Sequence, residues 1–372
     1  MKVSSGASWF HYNPVRVLAG SDALWALPGL IGKDGGRWLL VTSPGFTRRG
    51  ITERVRASLG QNSPSDAVLV YDRVTPNPVL DDLDSMAAQF SGQDLTGVIA
   101  LGGGSVIDAA KVLAVTMNTP VDRPLHEFFR AEWRHDWQRR AKVIAIPTTA
   151  GTGAEVTPFA TVWDQERRCK YSVTGDHLFP DYCILNAELT LSLGKDETLY
   201  TGLDATSHAL ESLWNRNSTP VSEALALSAL QLIARALPQV LRTPHDIEYR
   251  RQMQHASLLA GMAIAETRTA IAHSISYPLT LRYGIPHGLA CSFTLPLILE
   301  ANLEQLSDSE IKRKTLESIL ILLREVDFRK HVARYASRTE VLGLKEEMLT
   351  KGRADNFSFR ADLERLLIDS LS

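Results

Sequence analysis

Four side chains in three segments of the sequence could together hold a metal ion. Asp204 and His208 are four residues apart in GLDATSHALES, whose apolar pattern predicts a helix. Residues at that spacing lie on the same face of a helix, so both side chains would point the same way. His273 lies in TAIAHSISY and His287 in RYGIPHGLA. One carboxylate and three imidazoles form a sufficient ligand set for a divalent cation such as Fe²⁺ or Zn²⁺.

A glycine-rich loop, LGGGSVID, follows an apolar run and precedes a predicted helix. Gly102, Gly103 and Gly104 would let the backbone come close to a ligand. Ser105 is predicted to cap the helix, with Asp108 as its capping-box partner. The first N–H groups of that helix and the positive end of its dipole suit a diphosphate. The alternative is a tight strand-to-helix turn that binds nothing.

A second loop, PTTAGTGAEVT, follows another apolar run. Its hydroxyl groups include those of Thr148, Thr149 and Thr152, which at the carboxyl end of a strand suit a nucleotide or a nicotinamide ribose. A polar surface turn is the alternative. Together the two loops predict a cradle for the phosphates and ribose of a dinucleotide.

Such loops require a sheet whose strands end beside them, and the first half of the chain has the pattern of one. Continuous apolar runs, typical of buried parallel strands, occupy residues 38–41, 68–71, 98–101 and 143–146. Amphipathic segments at 52–59 and 80–90 lie between these runs. The alternation predicts a doubly wound, Rossmann-like α/β domain with a parallel sheet, which binds a dinucleotide and spans residues 1–186.

The second half of the chain carries the periodicity of helices and few strand-like runs. Helices are predicted at 202–214, 221–237, 249–266 and 311–323, and Pro238 is expected to end the second of them. The prediction is therefore an all-α, metal-binding catalytic domain over residues 187–372, which carries all four candidate ligands.

Composition and charge exclude some classes of partner. A net charge of −2 gives no reason to expect nucleic acid or an anionic membrane surface as a partner. The three cysteines form no C-x-x-C pair, which is typical of a reducing compartment. The sequence has no signal-like apolar segment near its start and no run of about 18 apolar residues. We therefore expect a soluble cytoplasmic protein.

Four motifs, GGGSVIDAAK, PTTAGTGAEVT, GLDATSHALES and IPHG, have the order and spacing found in iron-dependent (type III) alcohol dehydrogenases. The chain resembles that family over nearly its whole length. The resemblance implies a homodimer that binds one Fe²⁺ or Zn²⁺ and uses NADH or NADPH. It places the metal ligands at Asp204, His208, His273 and His287. It places the cofactor contacts at Gly102, Gly103, Gly104, Ser105, Thr148, Thr149, Thr152 and Lys170.

Two positions depart from the family pattern and bear on chemistry. Tyr277 stands where the family usually has a further histidine, four residues after the third ligand. Its hydroxyl could act in proton transfer in place of that histidine, or the ring could simply pack. Ser43 stands where the family's first strand often ends in an aspartate that repels a 2′-phosphate. We therefore expect NADPH to be accepted as well as NADH.

Two arginines, Arg268 and Arg282, lie near two of the candidate metal ligands in the sequence. They could bind an anionic substrate by charge-assisted hydrogen bonds, or they could be ordinary solvated surface groups. The segments TRTAIAHSISYPLT, GIPHGLACSF and PFATVWD are similar to the phosphonoacetaldehyde reductase branch of the family. This implies reduction of phosphonoacetaldehyde to 2-hydroxyethylphosphonate in phosphonate biosynthesis. The alternatives are a short-chain diol or lactaldehyde dehydrogenase, a dehydroquinate-synthase-like metal lyase, or a ligand-sensing or structural protein that has lost catalysis.

Overall fold

The computed structural model describes residues 8–32, 36–60, 68–131, 136–139, 141–349, 352–360 and 362–372. These residues form two compact units. We call one the sheet unit; it comprises the described residues of Asn13–Thr149 and Ala154–Thr190. We call the other the helical unit; it comprises the described residues of Met1–Tyr12, Ala150–Gly153 and Leu191–Ser372.

The sheet unit contains a six-stranded, entirely parallel sheet and a separate antiparallel hairpin. The eight strands are β1 (Arg16–Ala19), β2 (Arg37–Thr42), β3 (Val68–Tyr71), β4 (Leu95–Gly102), β5 (Lys142–Pro147), β6 (Phe159–Asp164), β7 (Cys169–Thr174) and β8 (Tyr182–Leu185). The order in the parallel sheet is β1-β8-β5-β4-β2-β3, and β6 pairs with β7. All four apolar runs in the sequence are strands, β2 to β5, as predicted.

Helices cover both faces of this sheet. They are α1 (Leu27–Gly32), α2 (Pro44–Arg48), α3 (Ile51–Gly60), α4 (Leu80–Phe90), α5 (Gly104–Thr116) and α6 (Pro124–Arg130). Successive strand residues enter different apolar clusters: Leu39 of β2 packs with residues of α4 and α5, whereas Leu40 packs with residues of α1 and α3. Because side chains alternate along a strand, this division confirms the doubly wound α/β arrangement.

A buried lysine connects α5 to the segment after β5. Lys111 has no exposed surface, and its ammonium donates hydrogen bonds to the Thr157 carbonyl at 2.8 Å, the Thr157 hydroxyl at 3.1 Å and the Phe159 carbonyl at 3.1 Å. Burial lowers the pKa of Lys111 to about 8, although Asp108 and Glu155 act in the opposite direction. A buried ammonium is stable only with hydrogen-bond acceptors and negative charges around it. The fold in this region therefore depends on Lys111 together with its acceptors and the neighbouring acids.

We expect Lys111→Met to lower the free energy of unfolding by about 3–5 kcal/mol, because it leaves three buried acceptors and the neighbouring carboxylates without their cation. Urea unfolding followed by circular dichroism measures this loss. Lys314→Met is the matched control, since Lys314 is exposed and pairs with Glu310 one turn away. Its effect should stay within about 0.5 kcal/mol. Equal effects of the two substitutions would contradict a special role for the buried lysine.

The helical unit contains eleven α-helices in its described residues. They are α7 (Lys195–Leu213), α8 (Pro220–Arg242), α9 (Ile247–Thr267), α10 (Ile271–Tyr283), α11 (His287–Ala290), α12 (Leu295–Leu306), α13 (Glu310–Glu325), α14 (Phe328–Val332), α15 (Arg338–Gly343), α16 (Lys345–Met348) and α17 (Leu363–Ser370). One apolar cluster formed by residues from most of these helices is the core of the unit. The predicted all-α character of this part of the chain is confirmed.

One helix continues further than the sequence predicted. Thr219 caps α8 through a capping box with Ser222, and Pro238 lies inside the helix, which ends only at Arg242. The predicted stop at Pro238 is wrong, because the last turn still buries Val240 completely in the core and this offsets the lost backbone hydrogen bond. Among the described helices, α8 alone is long and apolar enough to span a membrane. That criterion is weak, because core helices also meet it.

Candidate metal centre and nucleotide-binding loops

The structure brings the four predicted metal ligands together within the helical unit. Asp204 and His208 lie on α7, His273 lies on α10 and His287 begins α11. The Nε2 atoms of His208, His273 and His287 lie 3.7, 3.8 and 3.8 Å from Asp204 Oδ1, respectively. Ligand atoms around one divalent ion are roughly 3–4 Å apart, given metal–ligand bonds of about 2.0–2.2 Å. The separations therefore fit such an ion.

The hydrogen bonds of two of these histidines also fit a metal site. His208 Nδ1 lies 3.3 Å from the Gly151 carbonyl, and His273 Nδ1 lies 2.8 Å from a carboxylate oxygen of Glu211. A carbonyl and a carboxylate only accept hydrogen bonds, so in both rings the hydrogen is on Nδ1. The Nε2 atoms of His208 and His273, which lie 3.7 and 3.8 Å from Asp204 Oδ1, then carry lone pairs that can coordinate a cation.

Glu211 is a residue of this centre that was not among the predicted site residues. It is fully buried and accepts N–H groups from Ala270 at 2.8 Å, Ala272 at 2.6 Å and His273 at 3.1 Å, besides the His273 ring. Burial raises the pKa of Glu211 to about 7, against the lowering effect of the backbone hydrogen bonds. Its position three residues after His208, on the same helical face, was the available signal.

A buried thiol also lies beside the candidate ligands. The Cys291 sulfur is 3.5 Å from Asp204 Oδ1, and it shares a group of potential ligand atoms with Asp204, His273 and His287, all within 4.8 Å of one another. Burial raises the pKa of Cys291 well above its ordinary value, and the charge of Asp204 adds to this. A protonated thiol donates to Asp204. His208 therefore stays the predicted fourth ligand, with Cys291 as a hydrogen-bond donor to Asp204.

The electrostatics of Asp204 agree with a metal-binding carboxylate. Burial by itself raises the pKa of Asp204, but the interactions with His208, His287 and His273 outweigh it, and the pKa lies below its ordinary value. The carboxylate is therefore ionised and faces three imidazole nitrogens. This is the charge state in which it can bind a cation.

A glycine lets the short helix α11 approach α7 and so sets the position of His287. A Cβ atom at Gly288 would lie 1.8 Å from the Tyr200 carbonyl oxygen and 3.1 Å from the Asp204 Cβ. No side chain fits there without moving the backbone of α7. The P-H-G sequence around the last ligand is thus explained by close packing of two helices.

The predicted catalytic tyrosine lies next to a candidate ligand. The rings of Tyr277 and His287 are nearly parallel, with centroids 6.4 Å apart and planes that differ by 4°. Burial raises the pKa of Tyr277, and a hydrogen bond with the Thr269 side chain acts in the opposite direction. The guanidinium carbon of Arg353 lies over the Tyr277 ring, 4.4 Å from its centroid. Arg353 was not among the predicted site residues.

The two predicted substrate arginines have different surroundings. Arg282 is 38% exposed and donates to both carboxylate oxygens of Glu347 at 3.0 Å. Arg268 is half-buried and follows the last residue of α9, with a left-handed φ of 65°. Its carbonyl accepts a hydrogen bond from the Asn215 side chain. The role of each in substrate binding stays a prediction.

In the sheet unit, the glycine-rich loop begins α5 in a way that differs from the prediction. The N-cap residue is Gly103, without a side-chain cap, so the predicted Ser105–Asp108 capping box is wrong. Ser105 Oγ instead accepts the Asn77 N–H at 3.1 Å, and Asp108 accepts the Thr161 N–H at 2.9 Å. Asn77 adopts a left-handed φ of 59°. Its place between two prolines was the sequence signal for this turn.

The two predicted nucleotide-binding loops adjoin each other at the carboxyl ends of β4 and β5. The Thr148 N–H donates to the Gly102 carbonyl at 3.0 Å. A Cβ at Gly103 would lie 3.2 Å from the Thr149 side chain. The N-terminus of the 13-residue helix α5 thus opens beside a threonine-lined edge of the sheet. Backbone N–H groups at such a terminus fit the diphosphate of a dinucleotide.

The remaining predicted cofactor residues lie in several places. Lys170 is on β7, with its ammonium 5.7 Å from the Trp163 ring. Ser43 is the N-cap residue of α2 and makes no side-chain cap hydrogen bond. Thr152 groups with the helical unit. Their contacts with a cofactor stay predictions.

Two family models match the chain. The first, described as iron-containing alcohol dehydrogenase, covers residues 14–187, and the second, the C-terminal domain of the same family, covers residues 198–356. The chain is 39% identical over 266 residues to a phosphonoacetaldehyde reductase of Streptomyces viridochromogenes, across 70% of this chain and just under two thirds (66%) of that protein. It is 33% identical over 291 residues to the probable alcohol dehydrogenase EutG of Salmonella typhimurium, across 78% of this chain and 72% of that protein.

A solved structure agrees with the fold over nearly the whole chain. It is that of a sulfoacetaldehyde reductase from Bifidobacterium kashiwanohense in complex with NAD⁺. The TM-score is 0.86 at 25% identity, and the match covers 98% of each chain.

Proposed function

The chain belongs to the iron-containing alcohol dehydrogenase family, as its motifs predicted, and on that premise we propose that it reduces a small anionic aldehyde to a primary alcohol with NADH or NADPH. We propose phosphonoacetaldehyde as the substrate and 2-hydroxyethylphosphonate as the product. The observation that carries the proposal is the approach of three imidazole nitrogens to within 3.7–3.8 Å of one buried carboxylate oxygen. In the overall reaction the aldehyde gains a hydride and a proton, and the coenzyme is oxidised.

The residues of the helical unit have distinct tasks in this proposal. Asp204 and the three histidines would hold a divalent ion, which when bound would polarise an aldehyde oxygen as a Lewis acid. Glu211 keeps the His273 hydrogen on Nδ1, so that Nε2 stays available. Tyr277 stands at the position where the family usually has a histidine, and its ring lies beside that of His287. Its side chain carries a hydroxyl group. We propose that this hydroxyl takes part in delivering the proton.

The identity of the substrate is supported by the relatives. Phosphonoacetaldehyde and sulfoacetaldehyde, after which two of them are named, are both two-carbon aldehydes with a tetrahedral anion at the far end. The use of either coenzyme is supported by Ser43, because an uncharged residue there does not repel a 2′-phosphate. The homodimer and the cytoplasmic location stay predictions.

Steady-state kinetics of the Fe²⁺- or Zn²⁺-loaded protein, followed by the absorbance of the reduced coenzyme, test this function. We expect kcat/KM for phosphonoacetaldehyde to exceed that for lactaldehyde and for propanal by about tenfold or more, since a charge-assisted contact adds that much. A preference for lactaldehyde would favour a diol dehydrogenase instead. No coenzyme oxidation with any aldehyde would favour a lyase.

A further inference from the structure

The end of β2 lies beside the glycine-rich loop, the predicted site of the coenzyme diphosphate. Thr42, the last residue of β2, pairs with Leu101 of β4, and its hydroxyl donates to the Leu101 carbonyl at 2.7 Å. The next residue, Ser43, therefore lies level with Gly102, and neighbouring strands are about 4.8 Å apart. In a dinucleotide the adenosine ribose directly follows the diphosphate. Ser43 is thus placed to face the 2′ position of that ribose.

The guanidinium of Arg49 lies close to the Ser43 hydroxyl. A Cβ atom placed on Gly45 would be 3.9 Å from Ser43 Oγ and 3.9 Å from Arg49 Nη1. Both polar atoms therefore border the same small space, which Gly45 has no side chain to fill. One phosphate group can hydrogen-bond to both atoms across this space, because each such bond spans about 2.7–3.2 Å.

A buried aromatic ring supports Arg49. The guanidinium carbon lies 4.6 Å from the centroid of the Phe46 ring, and Phe46 is buried. A guanidinium that uses its face for such a contact keeps its N–H donors free along its plane, and Nη1 beside Gly45 carries two of them. The contact also restricts the rotamers of Arg49, which lowers the entropy lost when an anion binds.

The charges around Arg49 favour an anion. Among the residues that the structure describes, none forms an ion pair or a hydrogen bond with its guanidinium. Glu53 is the only acid between positions 43 and 60 of the sequence, and it pairs with Arg56 at 3.4 Å. The same stretch contains four arginines, so its net charge is positive and attracts a phosphate.

We propose that Ser43 and Arg49 bind the 2′-phosphate of NADPH and make NADPH the preferred coenzyme. This inference rests on the proposed function, which allows either coenzyme, and it names the residues that choose between them. A second arginine, Arg73, follows β3 near the end of β2. Its guanidinium carbon lies over the Tyr71 ring, 5.9 Å from the centroid. The geometry favours Arg49, because its Nη1 borders the same space as the Ser43 hydroxyl.

Binding of the two reduced coenzymes to the full chain, followed by their fluorescence, tests the proposal without a substrate. We expect the wild type to bind NADPH about tenfold or more tightly than NADH, because a charge-assisted contact adds that much. Arg49→Met should weaken NADPH binding about 10- to 100-fold and leave NADH within about twofold. Arg49→Lys should fall between the wild type and Arg49→Met, because it keeps the charge but not the planar donor set.

A substitution at the other residue of the pair tests the same site by repulsion. Ser43→Asp should weaken NADPH binding at least as much as Arg49→Met does, because a carboxylate repels the 2′-phosphate. It should leave NADH binding unchanged or tighter, since a carboxylate accepts the hydrogen bonds of the ribose hydroxyls. NADPH binding that is unchanged in Ser43→Asp would overturn the inference.

Two adenosine nucleotides repeat the comparison without the nicotinamide. In calorimetry, Arg49→Met should weaken adenosine 2′,5′-bisphosphate by the same factor as NADPH and should leave 5′-AMP unchanged. Arg56→Met is the matched control, since Arg56 is an exposed arginine of the same unit that pairs with Glu53. It removes the same charge and should change the binding of neither coenzyme.

Equal affinity of the wild type for NADPH and NADH, or a preference that survives in Arg49→Met, would overturn this inference and leave the proposed function intact. A selective loss of NADPH binding in Arg73→Met or Arg56→Met, with none in Arg49→Met, would overturn it as well. If Arg49→Met does not fold, an unchanged coenzyme ratio in Arg49→Lys overturns it. A wild-type protein that binds neither coenzyme overturns the proposed function itself.

Discussion

Asp204→Asn is expected to abolish stable metal binding and to lower kcat by about a thousandfold or more. Asp204 Oδ1 is the atom that the Nε2 nitrogens of His208, His273 and His287 approach at 3.7–3.8 Å. Asparagine keeps the size of this side chain but removes the only negative charge among the four ligands. A bound divalent ion supplies several kcal/mol of transition-state stabilisation, and each 1.36 kcal/mol changes the rate about tenfold.

The measurement is metal content after dialysis against a weak chelator, together with turnover of phosphonoacetaldehyde. The metal-free variant should stay folded and unfold at a somewhat lower temperature than the metal-free wild type, because the lowered pKa of Asp204 means that the fold stabilises its ionised form. This separates loss of the metal from loss of the fold. Asp246→Asn is the matched control, since Asp246 only caps α9 and asparagine caps a helix equally well. Stoichiometric metal in Asp204→Asn would refute the ligand assignment.

The parts of the fold that the sequence predicts are those governed by local pattern. The runs that become β2 to β5 are fully apolar because helices cover both faces of the sheet, so their pattern is unmistakable. The strand β1, by contrast, is mostly exposed at the edge of the sheet and carries no apolar periodicity. For this reason β1 does not follow from the sequence. The β6–β7 hairpin and β8 were not predicted either, although β6 and β8 are largely buried. At Pro238 the local sequence predicted the end of a helix, but α8 continues to Arg242 because burial of its last turn in the core outweighs the local signal.

The contrast between local pattern and tertiary packing also explains which residues of the candidate site were predictable. Asp204 and His208 were predictable because helical spacing alone places them on one face. Arg353 was not, because its contact with Tyr277 joins segments far apart in the chain and depends on how the segment around Asn356 packs against the residues that follow α7 and those that precede α10. Cys291 likewise becomes a neighbour of Asp204 only through the close approach of α11 to α7.

Glu211→Gln is expected to weaken metal binding about 10- to 100-fold while the protein stays folded. One oxygen of Glu211 accepts the N–H groups of Ala272 and His273, and the other accepts the N–H of Ala270 and the His273 ring. Glutamine has one acceptor and one donor group for these four donors. If its NH₂ faces the ring, the hydrogen of His273 moves to Nε2, which can then no longer coordinate. If its NH₂ faces the other way, two backbone N–H groups at the start of α10 lose their acceptor.

Competition with a chelator of known affinity measures the change in metal binding, and the visible spectrum of the Co²⁺-loaded variant reports the altered ligand geometry. Glu266→Gln is the matched control, because Glu266 is a largely buried acid of the same unit whose carboxylate contacts the His11 ring and the Thr219 hydroxyl. It should lower stability without changing the Co²⁺ spectrum or the metal affinity. A purely structural role for Glu211 predicts that both variants lose stability and neither alters the spectrum. Glu211 accepts hydrogen bonds from the backbone and the ring of His273. We therefore expect only Glu211→Gln to change the Co²⁺ spectrum.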